Sequence, residues 1–131
     1  MQITMDHIVL NVQDETSMLD FYTRVLGMEP DRLDEYRAGD VSFPSVRLNE
    51  GTIIDLFPPK MHKKDPASVP NLNHFCMVVD KADWEATRSR LEQEGIAIDG
   101  PRQVWGARGE GESIYFADPD GNRLELKHYA G

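Results

Sequence analysis

One cysteine, Cys76, is all the thiol the chain carries. An internal disulfide framework is thereby excluded, and a reducing compartment, the cytoplasm, is the expected setting. Aromatic residues are also scarce, at 8% of 131. Basic residues are outnumbered, 14 against 23 acidic, for a net charge of −9. Nowhere do Lys and Arg cluster with interleaved aromatics as a phosphate-tracking surface would require, so nucleic acid is not an expected partner. Apolar runs stop after a handful of residues. That is far short of the roughly 20 needed to span a bilayer, so no membrane association is expected. The first residues lack a basic segment followed by an apolar one, and no low-complexity tract stands out.

What the chain does have is an internal echo. Gly51-Thr-Ile-Ile-Asp55-Leu56 and Gly121-Asn-Arg-Leu-Glu125-Leu126 share one pattern, a turn glycine, three residues, then an acid and a leucine. Each acid trails a histidine by a similar interval, 48 residues from His7 to Asp55 and 51 from His74 to Glu125. An acidic residue, an amphipathic stretch and a glycine follow each histidine: Asp14 to Gly27, then Asp80 to Gly95. At about 60 residues each, two such halves would struggle to bury separate cores, so a single shared domain is expected. If the halves pack about a pseudo-twofold axis, four nitrogen and oxygen donors can converge on one point, which is a metal-site pattern.

Local patterning gives each half the order strand, helix, strands. Ile8, Leu10 and Val12 alternate with His7, Val9 and Asn11, the period of a strand, which turns His7 away from the helix-packed layer. Met18, Phe21, Tyr22, Val25 and Leu26 follow helical spacing between an Asp14 N-cap and a C-terminal Gly27. Tyr36 to Leu48 and Thr52 to Phe57 read as strands around a turn at Asn49 to Gly51. Residues 59–72, rich in proline, form the expected connection between a first module at about 1–58 and a second at about 73–131. In the second, His74, Cys76 and Val78 share one strand face, and Asp80 caps a helix carrying Trp84, Thr87, Arg88 and Leu91 that ends at Gly95. Three strands follow: Ala97 to Val104 kinked at Pro101, Glu112 to Phe116, and Asn122 to Lys127 after an Asp118-Pro119-Asp120-Gly121 turn.

The segments Asp6-His7-Ile8-Val9-Leu10-Asn11-Val12, Phe21-Tyr22-x-x-Val25-Leu26-Gly27-Met28 and Asn73-His74-Phe75, with Tyr115 to Leu126, make the chain resemble the vicinal oxygen chelate superfamily. This is the glyoxalase, bleomycin-resistance and extradiol-dioxygenase group. The resemblance implies an α+β fold of two paired βαβββ modules whose curved mixed sheet surrounds a cavity, built within one chain or by swapping across a homodimer. It places metal ligands at His7, His74 and Glu125, with Asp55 where glyoxalase I has a glutamate. Two imidazoles and a carboxylate leave open positions on Fe, Mn, Ni, Co or Zn. Such a cation can grip two adjacent oxygens of a small oxygen-rich substrate as a Lewis acid. Asp55 is one methylene shorter than glutamate, so it either completes the ligand set, orients a histidine, caps a strand end, or pairs with Lys127 or Arg123.

The resemblance leaves lyase or isomerase, dioxygenase and thiol-transfer chemistry open. In a glyoxalase reading Glu125 is also the catalytic base. Asn11, however, stands where members acting on glutathione adducts tend to carry arginine. Ala107, Arg108 and Gly109 stand where ring-cleaving members need a histidine. Fosfomycin-modifying members bind a phosphonate with basic residues, a part open here to Arg108, Arg123 and Lys127. Trp105 and Arg108, in the glycine-rich stretch 106–111, are placed for a substrate lid or for a plain hairpin loop. Phe57 and Tyr115 alternate with Asp55 and Ser113 as cavity-lining or cavity-filling residues. A metal-free protein sequestering a cationic drug, as in bleomycin resistance, is the alternative function that the acidity would serve. His62 and His128 fall outside the matched positions and carry no expected role.

Overall fold

The alternation that opens the chain forms a strand, β1, over Thr4–Asn11. The computed structural model describes residues 1–62, 70–117, 119 and 121–130. By its contacts the chain divides into two compact units, one of Ile8–Asn73 and one of Met1–His7 with His74–Gly131. The division falls inside β1, immediately after His7.

In the Ile8–Asn73 unit, the Asp14 carboxylate accepts hydrogen bonds from the Thr16 and Ser17 N–H groups at 3.1 and 3.4 Å. It caps helix α1, Glu15–Asp20. The helix expected to run on to Gly27 instead widens into a π turn over Phe21–Val25. Here the Thr23 hydroxyl donates to the Leu19 carbonyl at 2.6 Å, competing with the backbone ladder. Gly27, at φ 78°, reverses the chain in the left-handed region glycine favours. Phe21, Val25 and Leu26 are exposed, and Leu19 is the helix residue buried with Val12, Val46, Ile54 and Leu56.

Strands β2 (Glu29–Asp31), β3 (Ser45–Asn49) and β4 (Thr52–Phe57) then pair antiparallel in that order. Gly51 N–H donates to the Asn49 side chain at 2.9 Å in the β3–β4 turn. Where a strand was expected from Tyr36, a short helix α2 spans Leu33–Arg37. Acids at Asp34 and Glu35 in its first turn and Arg37 in its last suit the helix dipole. Helix α3, Pro59–His62, closes the described part of this stretch. The connection expected over 59–72 lies largely outside the described residues.

The other unit holds β5 (Leu72–Val78, from His74 on), α4 (Lys81–Gln93), β6 (Asp99–Gly106), β7 (Gly109–Ala117) and β8 (Arg123–His128). β5 runs parallel to β8, which pairs antiparallel with β7, and β7 with β6, a mixed arrangement. Asp80 caps α4 by accepting from Asp83 N–H at 2.8 Å. Trp84 of α4 packs with Val79, Ile114 and Leu126, and its indole N–H donates to the Leu126 carbonyl at 2.9 Å. The expected kink at Pro101 is a register shift between Asp99 and Arg102. The glycine-rich stretch is a tight hairpin, with Gly106 and Gly109 paired across Ala107 and Arg108. Asp118 and Asp120 of the expected turn lie outside the described residues. Strand, helix and three strands thus occur twice, the α+β order expected. No helix among the described residues is long and apolar enough to cross a membrane.

Candidate metal centre

Parallel pairing of β5 with β8 sets Cys76 opposite Glu125, and His74, two residues earlier, lies on the same strand face. The His74 Nε2 atom stands 3.0 Å from Glu125 Oε1. His7 Nε2 approaches the same oxygen, also at 3.0 Å. All three residues are buried, at 2%, 7% and 1% exposure for His7, His74 and Glu125. The other carboxylate oxygen, Oε2, accepts from the Ser113 hydroxyl at 2.8 Å and lies 3.7 Å from the Lys127 ammonium. Lys127, itself fully buried, donates to the Val104 carbonyl at 2.8 Å. Glu125 is therefore held from behind, with one oxygen turned to the imidazoles.

Behind His7 stands Asp6, whose Oδ2 accepts from His7 Nδ1 at 2.6 Å. The same carboxylate accepts from Ala107 N–H at 3.0 Å and from the Tyr129 hydroxyl at 2.5 Å. Burial opposes ionisation of Asp6, but the bonds from His7, Tyr129 and Ala107 outweigh it and hold the carboxyl below its usual range. Burial likewise works against a charged His7. The bonds to Asp6, Cys76 and Glu125 overcome it and push the imidazolium up to about 12. For Glu125 the burial penalty is outweighed by the two histidines and by Lys127, and its carboxyl sits far below the ordinary range. Burial pushes the Cys76 thiol up to about 12, so it is no thiolate nucleophile.

The shifts of Asp6, His7 and Glu125 come largely from the bonds around His7, whereas that of Cys76 is chiefly burial. Between two imidazoles and a carboxylate, with a second carboxylate behind, positive charge is strongly favoured, whether as protons or as a metal ion. The ligating atoms of His7, His74 and Glu125 all lie within 4.8 Å of one another, and two nitrogens with one oxygen are donors that Mn, Fe, Co, Ni or Zn accepts. The residues fit a divalent cation. Asp6, His7 and Cys76 satisfy the same distance test. In that group both Asp6 oxygens already accept protein hydrogen bonds, which suits a carboxylate orienting His7 better than a ligand.

Tyr115, opposite Glu125 in the β7–β8 register, belongs to the same unit, its ring 5.6 Å from that of His74. The guanidinium groups of Arg102 and Arg123 lie 4.7 and 4.6 Å from its ring centre, and both bond to Asp99. Arg108 sits exposed at the hairpin turn, its guanidinium 5.6 Å from the Tyr129 ring centre, and Trp105 pairs with Glu110 across the hairpin. Asp55, Asn11 and Phe57 belong to the Ile8–Asn73 unit. There the buried Asp55 carboxylate accepts from Ser45 at 2.5 Å. The Asn11 side chain donates to the Pro70 carbonyl and accepts from Asn73, while the Phe57 ring meets Phe43. His62 bonds to the Val12 carbonyl, and His128 to Glu112. Sequence reasoning missed Asp6 and Tyr129 altogether. The one available signal for Asp6 was an acid beside a strand histidine, since a carboxylate is the usual partner of a ligand imidazole.

The chain matches the family described as the Glyoxalase/Bleomycin resistance protein/Dioxygenase superfamily over residues 4–126. It is 33% identical to a virulence protein of Salmonella typhimurium over 125 residues, covering 95% of this chain and 83% of that one. It is 29% identical to the fosfomycin resistance protein FosX of Mesorhizobium japonicum, covering 93% and 83%. Among solved structures, a Mn(II)-bound glyoxalase from Novosphingobium aromaticivorans is similar with a TM-score of 0.72 at 24% identity. That likeness covers 95% of this chain and 37% of the other, and it concerns the fold.

Proposed function

Since the chain belongs to the glyoxalase, bleomycin-resistance and dioxygenase superfamily, we propose that it is a metal-dependent enzyme acting on a small, oxygen-rich, anionic molecule. His7, His74 and Glu125 would hold the divalent cation. The reading is carried by one observation, two imidazole nitrogens meeting a single buried carboxylate oxygen at 3.0 Å each. When bound, such an ion supplies Lewis acidity to two adjacent substrate oxygens. The protein groups do the rest. Ser113 and Lys127 keep Glu125 aligned, and Tyr115 with Arg102 and Arg123 offers positive charge to an anionic substituent. Glu125, held far below the ordinary carboxylate range, is better suited to ligation than to proton abstraction, because an efficient base titrates near the working pH. Asp55 stands outside this minimal set of ligands. FosX makes fosfomycin a natural test compound, alongside glyoxalase-type aldehyde adducts and vicinal diols.

The test begins with the metal content of the purified protein. Melting is then followed in chelator and after adding back Mn, Fe, Co, Ni or Zn. A cation at a hundred times its Kd stabilises by about 2.7 kcal/mol. At roughly 2.1 cal/mol/K per residue of unfolding entropy, that raises Tm by about 10 °C. Turnover of one of the test compounds that needs the added metal completes the expected result. No bound metal and no shift with any of the five would overturn it and leave the metal-free, ligand-sequestering function.

A further inference from the structure

The β6–β7 hairpin brings two backbone N–H groups to the back of His7. Ala107 N–H donates to Asp6 at 3.0 Å, and Arg108 N–H to the Tyr129 oxygen at 3.2 Å. The Tyr129 hydroxyl in turn donates to Asp6 Oδ1 at 2.5 Å, and Asp6 Oδ2 takes the His7 Nδ1 proton at 2.6 Å. Room for this chain of bonds is made by two glycines. A Cβ on Gly106 would collide with the Tyr129 hydroxyl and lie 2.6 Å from Asp6 Oδ2, and one on Gly111 would lie 3.0 Å from Tyr129 Cδ1 and 2.8 Å from the His128 carbonyl.

We infer that Asp6 and Tyr129 are positioning residues for the metal-binding histidine. They fix the His7 ring with its Nδ1 proton turned to Asp6, so that Nε2, the nitrogen facing Glu125, is the one left to give its lone pair when a cation takes the place of its proton. The inference rests on the proposed ligand set of His7, His74 and Glu125. An imidazole free to rotate or to change tautomer would present a lone pair there only part of the time. A carboxylate holding the far nitrogen removes that loss and raises ligand basicity. Tyr129 acts one step back: donating to Oδ1, it holds the carboxylate plane toward the ring. Neither residue touches the cation or the substrate. The hairpin turn is the fixed end of the array.

The test is a Co(II) or Zn(II) titration of the full-length wild type and of the variants Asp6→Asn, Tyr129→Phe and Trp84→Phe. It is paired with 15N NMR of the histidine rings in the Zn-loaded protein. Removing an orienting partner of a ligand histidine typically weakens metal binding by 10- to 100-fold. Asp6→Asn should fall in that range, with Tyr129→Phe several-fold weaker than wild type. Trp84→Phe, a core change in the same unit, should lower Tm but leave Kd within about twofold. In the wild type the His7 Nδ1 should carry the proton, and in Asp6→Asn that signal should shift or exchange-broaden. If Asp6→Asn does not fold, Tyr129→Phe decides alone, since loss of one hydroxyl leaves the ring in place. Unchanged affinity and unchanged His7 tautomer in the variants overturn the inference. A wild type that binds no metal overturns the ligand set instead, so the two failures are distinguishable.

Discussion

Replacing Gly106 with alanine isolates a steric demand from a backbone one. Its φ is not positive, so an alanine fits the strand conformation and, by stiffening the unfolded chain, stabilises by about 0.4–1 kcal/mol. Against that, the new methyl lies 2.6 Å from Asp6 Oδ2 and 2.8 Å from Lys127 Cε, and nearer still to the Tyr129 hydroxyl. Relief requires Tyr129 to swing off Asp6, giving up a bond to a charged acceptor of roughly 1.5–3 kcal/mol, or the strand to shift, at an overpacking cost of about 1–3 kcal/mol. The net loss is about 0.5–2.5 kcal/mol once the stiffening gain is subtracted. With about 0.28 kcal/mol/K of unfolding entropy for a chain this long, Tm should drop by roughly 2–9 °C in chelator. The Tyr129 hydroxyl is the nearest of the three atoms the methyl crowds, so a cycle with Tyr129→Phe should be non-additive, the double variant being more stable than the sum of the singles by about 0.5 kcal/mol or more. Thermal and urea melts of the four proteins measure this. Additive losses, or no loss at Gly106→Ala, would refute the crowding argument.

Three further outcomes follow from side-chain environments. His74→Ala should lower metal occupancy by at least tenfold by elemental analysis while His62→Ala, whose ring meets the Val12 carbonyl, should not, and equal losses would contradict the ligand assignment. The Arg102 and Arg123 guanidiniums hold the Asp99 carboxyl down to about 2. Its share of stability is therefore present above the ordinary 3.8 and lost as pH falls through about 2. NMR of the side-chain carboxyl should show that midpoint, moving back up in Arg102→Ala. Cys76, fully buried and with its thiol pushed up to about 12, should resist a thiol reagent in the native protein and react at the rate of unfolding, so fast labelling at neutral pH would mean the β5 face is open.

Periodicity exposed most of the skeleton because it is a one-dimensional signal. His74, Cys76 and Val78 alternate inward along β5 as their spacing implies, and Asp14 and Asp80 cap the helices that begin beside them. The helix at Leu33–Arg37 was hidden because five residues carry too little apolar repeat to outweigh their neighbours. The single helical stripe from Met18 to Leu26 does not hold, because the π turn over Phe21–Val25 shifts the phase by one residue and no composition rule announces it. At the candidate centre, the histidines and Glu125 were legible through the internal echo. Their supports were not: Asp6 and Tyr129 are 123 residues apart, and nothing local announces that the residue after β8 places its hydroxyl on that carboxylate, beside the Ala107 N–H of the β6–β7 turn.

Charge counting carries the ligand argument one step further. Around His7 and His74, the buried Asp6 and Glu125 contribute two negative charges and the buried Lys127 one positive, leaving −1 when both imidazoles are neutral. A net buried charge is costly, and the site can relieve it by protonating His7 or, in the proposed reading, by holding a divalent cation, which turns −1 into +1. Nearer the solvent, Arg102 and Arg123 against Asp99 add a further +1 beside Tyr115. Two positive charges in excess favour a ligand that brings negative oxygens. A dianionic chelator such as a phosphonate should therefore bind the metal-loaded protein at least tenfold more tightly than a neutral vicinal diol of similar size, with an affinity that falls as salt is raised. Isothermal titration in low and high salt compares the two, and equal affinities would mean that the arginines serve only to brace Asp99.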